Sequence, residues 1–371
     1  MKRFIKIMLI TLAILIATIS AITFLYMRHD RFGSLPNGER LSNMEKKSNF
    51  QNGAFDNMEF TPALSEDVSY PKMLTDFFFK SKVRNTPSEP LPVKKTDLKN
   101  IPIDSNVYVW FGHSSYFLQI DGKKILVDPV FSKYASPVRL GVKAFDHEYV
   151  YTAEDMPEID LLIITHDHWD HLDYNTIKIL KPKINHVLTG IGVGAHFEKW
   201  GFPSDNVSEL YWGDQITIND LHFTSATSRH FSGRTFKRNT SLWSSFILQS
   251  KDKKIFIGGD SGFGKHFEEL GLKYGPFDYA ILENGQYDKN WKYIHMMPEE
   301  VTKASKLLNA KYLLPVHSSK FALANHPWDE SLIRVTQSAK EENIDLVLPM
   351  IGDIVSLDSY RKFPEWWIGI D

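Results

Sequence analysis

The chain has 371 residues, of which 43% are apolar and 24% are charged, which excludes a disordered or low-complexity chain and allows a sizeable core. Its 43 basic residues nearly balance 45 acidic ones, which argues against nucleic acid as the main partner because phosphate binding needs a basic face. There is no cysteine, so disulfides and cysteine nucleophiles are excluded and any metal site must use histidine and carboxylate ligands.

The first predicted element is a membrane-spanning helix. An uncharged run covers residues 7–27, between a basic leader and Arg28, and it is long enough to cross a hydrocarbon core of roughly 30 Å. A cleaved signal has a shorter apolar stretch and a small-x-small cleavage site, of which residues 19–21 are a poor version. We therefore predict a retained anchor over residues 1–27, with a cleaved signal and a buried core helix as the alternatives.

The positive-inside rule hardly distinguishes the two orientations of this anchor, because the basic residues on its two sides are equal in number. Lys2, Arg3 and Lys6 precede the apolar run, and Arg28, Arg31 and Arg40 follow it. The short basic leader favours a cytoplasmic N-terminus. We therefore expect a single-pass membrane protein whose main domain lies outside the cytoplasm.

Two segments separate the anchor from the first regular strands. Residues 28–60 are rich in Asn, Ser, Lys and Gly, which is typical of a linker. Residues 61–106 contain several prolines, and we expect this extension to pack on the domain that follows. Within it, residues 70–84 join aromatic to basic side chains, as in a segment that lies on anionic lipid. Trp366 and Trp367 are a second candidate interface anchor, and core packing is the alternative for both segments.

The main domain is predicted over residues 107–360. Residues 107–111 and 115–120 are typical of strands, and Asp121-Gly122 predicts a tight turn into a strand at 124–127. Short apolar runs predict further buried strands at 161–164, 222–225, 244–248, 255–257, 279–282, 312–316 and 346–348. Helical patterns fall between them, near 174–180, 265–274, from 298 and at 329–340. This order predicts an α/β domain of two packed sheets with helices outside.

The motif that carries the chemistry follows the predicted strand at 161–164 and reads Thr165-His166-Asp167-His168-Trp169-Asp170-His171. Residues two apart in extended backbone point the same way, so His166 and His168 can bind one ion. If the chain then turns helically, Asp170 and His171 can bind a second. Imidazole and carboxylate suit zinc, and also iron or manganese. Asp167 is expected to support the ligands or to be solvated.

Three more candidate ligands each follow a predicted strand. They are His230, Asp260, which stands in the glycine-rich stretch 258–262, and His317. Functional side chains are commonly placed where a strand of a rigid scaffold gives way to a loop. Asp260 has two oxygens and could bridge two ions. A single histidine in such a place is usually a surface or core residue, but beside the motif we predict that all three are ligands.

Together these residues resemble the metallo-β-lactamase superfamily of binuclear metallohydrolases, over roughly residues 100–355. The resemblance implies an αββα sandwich and two divalent metal ions, expected to be Zn²⁺. It also implies the ligand assignment: His166, His168 and His230 on one ion, Asp170, His171 and His317 on the other, and Asp260 bridging.

Within that superfamily the chain is most similar to the N-acyl-phosphatidylethanolamine-hydrolysing phospholipase D group and its bacterial relatives. The shared segments are 91–93, 110–115, 128–132, 166–171, 258–262 and 295–300. The similarity implies a phosphodiesterase of the phospholipase D type that acts on a phospholipid or other phosphodiester.

The expected reaction is attack on phosphorus by a hydroxide that two metal ions share. Asp170 is predicted to orient the hydroxide or carry its proton, besides binding metal. His295, just before a predicted helix, is a candidate acid for the leaving oxygen, or a helix-entry residue without chemistry. His113 is a candidate substrate-binding residue, or it braces its loop.

Two other functions stay open from the sequence. One is a hydrolase of the same fold that acts on a lactone or another C–O or C–N bond, since the ligand set does not separate these substrates. The other is a non-catalytic, membrane-tethered binding protein with a decayed site. The complete ligand set argues against the second, because decay usually removes a ligand.

Overall fold

The architecture is taken from a computed structural model that describes residues 1–66, 68–79, 83–138 and 142–371. Lys80 and Lys82 of the predicted lipid-binding segment lie outside the described residues. The strands are β1 Phe50–Gln51, β2 Ala54–Phe55, β3 Val107–Trp110, β4 Tyr116–Ile120, β5 Lys123–Val127, β6 Leu161–Ile164, β7 Val187–Gly190, β8 Val207–Leu210, β9 Gln215–Ile218, β10 Leu221–Ala226, β11 Ser245–Gln249, β12 Lys254–Ile257, β13 Phe277–Glu283, β14 Ala310–Val316, β15 Asp345–Leu346 and β16 Ile354–Ser356. The helices are α1 Lys2–Tyr26, α2 Gly38–Glu45, α3 Tyr70–Phe79, α4 Tyr174–Leu180, α5 Gly194–Lys199, α6 His266–Tyr274, α7 Pro298–Leu307 and α8 Glu330–Glu341.

Two seven-stranded sheets form the main domain, with the strand orders β16-β3-β4-β5-β6-β7-β8 and β15-β14-β13-β12-β11-β10-β9. Each sheet has an antiparallel half and a parallel half. In the first sheet β5 to β8 run parallel, and in the second β12 to β15 do. The parallel halves require crossovers, and the helices supply most of them.

The central core lies between the sheets and contains apolar residues from both, such as Trp110, Ile163, Phe246 and Ile281. A second cluster packs α4 and α5 on the outer face of the first sheet, and a third packs α6, α7 and α8 on the outer face of the second. The layers are therefore helix, sheet, sheet and helix, as predicted.

Most predicted strands and helices are present within one or two residues of their expected bounds. The sequence prediction missed β7, β8, β9 and β16. They have only three or four residues each, which is too short for a clear apolar run. In β9, exposed side chains alternate with partly or fully buried ones. In place of the predicted strand at 346–348, the structure has the two-residue strand β15 at Asp345–Leu346.

The N-terminal helix stands apart from the domain. α1 is long and apolar enough to span a membrane, and the rest of the described chain buries none of its residues. A helix that exposes an apolar surface all round needs a non-aqueous surrounding. This is consistent with a transmembrane helix and excludes a core helix of the domain.

Residues 28–60 are more ordered than the predicted linker. They form α2 and the β1–β2 hairpin, and they bury Met44 and Phe55 against Trp212 and Trp243. The polar composition concealed this because two well-placed apolar side chains are enough to dock a short segment. The segment is an arm folded on the domain.

The extension and the C-terminus meet in one cluster. Leu91 is buried there with Trp328 and Trp367, so the extension packs on the domain at this point. Trp367 is 2% exposed. The alternative of core packing therefore holds for Trp367, and an interface anchor at that residue was wrong.

Candidate metal centre

The candidate site lies at the carboxyl ends of strands from both sheets. β6 leads into the loop 165–171, while His230, Asp260 and His317 follow β10, β12 and β14. The loop after β3 carries His113. Parallel strands within each sheet deliver their loops to the same edge, so residues far apart in the sequence meet there.

The structure brings all seven predicted ligands together in overlapping groups whose nitrogen and oxygen atoms lie within 4.8 Å of one another. The groups are His166, His168, His230 and Asp260; His113, Asp170, His171 and His317; and Asp260, His295 and His317. The carboxylate of Asp260 belongs to the first and third groups and also contacts His171 and His317 of the second. Its Oδ2 is 3.2 Å from His171 Nε2 and 3.6 Å from His230 Nε2, and its Oδ1 is 3.3 Å from His317 Nδ1.

Hydrogen bonds on the far side of the rings fix which nitrogen faces the centre. His171 Nδ1 is 2.8 Å from Asp128 Oδ2, and His230 Nδ1 is 2.8 Å from the Ile294 carbonyl. Both partners accept, so each ring donates outward and turns the lone pair of Nε2 inward. His166 Nδ1 likewise meets Thr165 Oγ1 at 3.0 Å, and that hydroxyl donates to Asp128. Such an arrangement prepares imidazoles for a cation.

Several inward atoms are orphaned. Among the described residues, His168 Nε2, His171 Nε2, His317 Nε2 and Asp260 Oδ1 are buried and have no hydrogen-bond partner. In addition, His166 Nε2 lies 2.9 Å from His168 Nδ1. Buried polar atoms without partners are costly. The donor set therefore fits divalent metal ions.

The electrostatics of the centre depend on this crowding. Burial raises the pKa of Asp260, but His171 and His317 outweigh burial and hold that pKa well below its usual range. Burial lowers the pKa of His171, but Asp260 and neighbouring carboxylates raise it well above the usual value. Burial and adjacent imidazoles lower the pKa values of His166 and His230. Neutral imidazole and ionised carboxylate are the forms that bind metal, so these shifts favour the binding form of Asp260, His166 and His230, whereas His171 must lose a proton to bind.

His113 is buried behind the centre and does not line its cavity. Its Nε2 is 2.8 Å from Asp170 Oδ2, and its backbone pairs with the segment that carries His317. Both histidines adopt left-handed backbone conformations, with φ of 51° and 72°. These contacts fit the bracing alternative, and substrate binding by His113 stays a prediction. Ser114 Oγ meets His317 Nδ1 at 2.8 Å.

His295 lies beside the two groups, next to a cavity of about 250 Å³. Its ring stacks on His317 with the centroids 5.4 Å apart, and its Nδ1 is 3.5 Å from Glu283 Oε2. Burial lowers its pKa, but Glu283 and Asp260 raise it by more, so the net shift is upward. His168, Asp170 and Asp260 line the same cavity, together with Phe231 and Arg238. His295 therefore faces the cavity beside the candidate ligands, and its role as a leaving-group acid stays a prediction.

Asp167 supports its loop from inside the protein. Its carboxylate accepts from His196 Nε2 at 3.1 Å, Gly233 N at 2.7 Å and Ser241 Oγ at 2.9 Å. His196 Nδ1 in turn accepts from Ser34 N at 3.0 Å. The loop that carries the motif is thus tied to the folded arm.

Sequence reasoning missed two supporting carboxylates. Asp128 accepts from Thr165 N, Thr165 Oγ1 and His171 Nδ1. Glu283 accepts from Met296 N and faces His295. The signal for Asp128 was its position directly after a predicted strand and before Pro129.

Replacing Asp128 with asparagine is expected to weaken metal binding by about 10–100-fold, since partners of metal ligands have effects of this size. One oxygen of Asp128 accepts from two donors, Thr165 Oγ1 and His171 Nδ1, and an amide nitrogen there would face both. Zinc titration against a chromophoric chelator measures the change. Asp104→Asn, at an exposed site, is the matched control and should bind zinc normally. Equal affinity in the two variants would contradict this role.

Comparison with known proteins agrees with the geometry. A profile of the β-lactamase superfamily domain matches residues 123–318. An uncharacterised protein of Mycobacterium bovis is 32% identical over 327 residues, which cover 87% of this chain and 88% of that protein. N-acyl-phosphatidylethanolamine-hydrolyzing phospholipase D 1 of Caenorhabditis elegans is 29% identical over 269 residues, covering 64% of this chain and 74% of that protein. The structure of Igni18, a metallo hydrolase from Ignicoccus hospitalis, is similar with a TM-score of 0.52 at 20% identity, covering 70% of this chain and 100% of that one.

Proposed function

The chain belongs to the metallo-β-lactamase superfamily of metal-dependent hydrolases, and from this we propose that it is a membrane-anchored phosphodiesterase of the phospholipase D type. Its substrate would be an N-acyl-phosphatidylethanolamine-like phospholipid, and its cofactor a pair of Zn²⁺ ions. The predicted superfamily, fold and hydrolase class are confirmed. The substrate, the number and identity of the ions and the membrane anchor are what the proposal adds.

The placement of Asp260 carries the proposal. It belongs to one group with His166, His168 and His230 and to another with His317, so a single carboxylate faces both halves of the centre. For the two ions we propose the assignment that the family resemblance implies, with His166, His168 and His230 on one ion and Asp170, His171 and His317 on the other. Two divalent ions bound here would supply a hydroxide at neutral pH and take up charge on phosphoryl oxygens.

The remaining roles fall to side chains at the cavity. Asp170, held by His113 at 2.8 Å, would orient the attacking oxygen and accept its proton. His295, on the same cavity, would donate a proton to the oxygen that leaves phosphorus. Arg238, whose guanidinium lies 4.3 Å from the ring centre of Phe231, would attract a phosphate to the cavity.

A lipid substrate is supported by the surface around the cavity. Ala63, Leu64 and Met73 line it. Met73 belongs to α3, which lies within the predicted lipid-binding segment. Phe60 and Phe79, which are close to these residues in the chain, and Phe236, which is close in the chain to the cavity residue Arg238, are among the most exposed aromatic side chains, at 89%, 84% and 84%. Exposed aromatic residues beside basic ones are typical of a surface that meets a bilayer. With α1 in the membrane, the cavity would stay close to its substrate.

A lipidomic comparison tests the substrate. Membranes that contain N-acyl-phosphatidylethanolamine would be incubated with the full chain and with Asp260→Asn. Water would add to phosphorus and the bond to the ethanolamine oxygen would break, so phosphatidic acid and N-acylethanolamine should accumulate with the wild type only. If no phospholipid differs between the two incubations, the phospholipase assignment is wrong.

The two alternatives have distinct outcomes in a simpler assay. Bis(p-nitrophenyl) phosphate hydrolysis that is lost in His168→Ala would support a phosphodiesterase. Hydrolysis of a lactone alone would favour the C–O bond hydrolase. A preparation that contains no metal and has no activity would favour the binding protein.

A further inference from the structure

A second cavity, also of about 250 Å³, shares no lining residue with the cavity at the metal centre. Its walls are mainly aromatic and apolar: Phe111, Phe131, Phe145, Tyr149, Tyr151 and Ile351. Lys320 also lines it. Phe111 and Lys320 belong to the segments that carry His113 and His317, which pair through their backbones, and the other walls come from residues 131–133, 144–151 and 351. The proposed reaction uses none of these wall residues.

The buried ammonium of Lys320 is the unusual feature of this cavity. The residue is 6% exposed, and its Nζ has one hydrogen-bond acceptor among the described residues, the Phe111 carbonyl at 3.3 Å. The ring of Phe131 lies 5.5 Å away. An ammonium has three donors, so two of them lack a partner in a largely apolar surrounding. Burial lowers the pKa of Lys320 to about 8, which leaves it mostly charged at neutral pH.

No described carboxylate neutralises this charge within 4.0 Å. Asp146 lines the cavity, but 74% of its side chain is exposed and it lies 3.4 Å from Lys143. Asp173 acts on Lys320 only from a distance, and it already accepts from Ser132 N and Asn175 N. His147 faces the carbonyls of Phe145 and Ser319 and carries no negative charge. The cavity therefore has a buried cation without its counter-ion.

We propose that this cavity binds a small apolar monocarboxylate, whose carboxylate pairs with Lys320 and whose body lies against the aromatic walls. Lys320 is the one buried cation among the described wall residues, which matches a single negative charge, whereas Lys133 is exposed at the edge of the cavity. The carboxylate of Asp146 on the same walls disfavours a multiply charged phosphate. The cavity volume is at the small end for ligand sites, so the ligand is of the size of phenylacetate. A charge-assisted hydrogen bond would satisfy the free donors of Lys320.

Fluorine NMR with 4-fluorophenylacetate as the probe tests the site on the full chain in lipid nanodiscs. We expect the probe to bind wild type and the control Lys303→Met, an exposed lysine on α7, with equal affinity. Lys320→Met should bind it at least about tenfold more weakly, which is the size of effect that a lost charge-assisted bond produces. Neutral 4-fluorophenylacetamide should bind the wild-type chain at least about tenfold more weakly than the acid does, because it has no negative charge to pair with Lys320. Equal binding by Lys320→Met, or of the amide and the acid, would overturn the proposal.

A carboxylate could also bind metal ions, so the same titration is run on His168→Ala. Binding that survives in His168→Ala and is lost in Lys320→Met supports the cavity. Binding that is lost in His168→Ala and kept in Lys320→Met belongs to the metal centre and overturns the proposal. If Lys320→Met does not fold, acetic anhydride labelling of wild type decides. The probe should slow acetylation of Lys320 and leave Lys303 unchanged, and equal labelling with and without the probe counts against the site.

Discussion

Asp260→Asn is expected to lower kcat/KM for bis(p-nitrophenyl) phosphate by about 10³-fold or more, the scale seen when a group that stabilises the transition state is lost. Asp260 is 3% exposed and lies within 4.0 Å of four imidazoles. An amide there keeps the shape of the side chain but loses the negative charge. The two halves of the centre would then no longer share an anion.

Metal content should change with the rate. We expect the wild-type chain to carry two ions and Asp260→Asn to carry one or fewer, measured by elemental analysis after gel filtration. Asp252→Asn is the matched control because Asp252 is exposed and lies two residues before β12, the strand that Asp260 follows, and it should retain both ions and full activity. If Asp260→Asn keeps both ions and its rate, the bridging role is wrong.

The ligand motif was predictable because its information is local. His166 and His168 are two residues apart at the end of a strand, and this spacing alone predicts convergence. His230, Asp260 and His317 were recognised because each follows an apolar run that forms a strand. Strand ends of one sheet edge meet in space, so a strand prediction became a site prediction.

The supporting contacts could not be predicted in the same way. Asp128 is separated from His171 by 43 positions, and Ser114 from His317 by 203. Nothing in the local sequence indicates which polar side chain turns toward a particular ring. Such pairings depend on the twist and stacking of the sheets, which a one-dimensional pattern does not contain.

The same limit explains the arm formed by residues 28–60. Its composition is that of a linker, and its helix and hairpin are too short to show periodicity. Met44, Phe50 and Phe55 are buried because Trp212 and Trp243 present a surface for them. A tertiary contact, and not local propensity, decides the conformation here.

Arg234→Met is expected to lower the free energy of unfolding by about 3 kcal/mol, the scale for removing one member of a buried charged network. Arg234 is 4% exposed. Its guanidinium donates to the carbonyls of Asp167 at 2.9 Å, Leu172 at 2.7 Å and Arg31 at 2.9 Å. Methionine fills a similar space but leaves these three acceptors without a donor, and it also removes a positive charge near the buried carboxylate of Asp167.

The control for this variant is Arg361→Met. Arg361 is an exposed arginine whose guanidinium pairs with Asp353 at 2.9 Å, and we expect a change within about 0.5 kcal/mol because exposed ion pairs contribute little. Urea unfolding followed by tryptophan fluorescence measures both variants. Equal midpoints for Arg234→Met and wild type would show that the network does not hold the loop.

Arg234 also joins the segment that follows α1 to the loop that carries the candidate ligands. The guanidinium lies 4.0 Å from the ring centre of Trp169. The same indole packs edge-to-face with the ring of Phe32, and their centres are 5.2 Å apart. Phe32 stands six residues after the end of α1. Arg234→Met and Phe32→Ala should therefore both weaken zinc binding, by about tenfold for the arginine variant, whereas Arg361→Met should not. If zinc affinity is unchanged in both, the arm stabilises the fold without positioning the ligands.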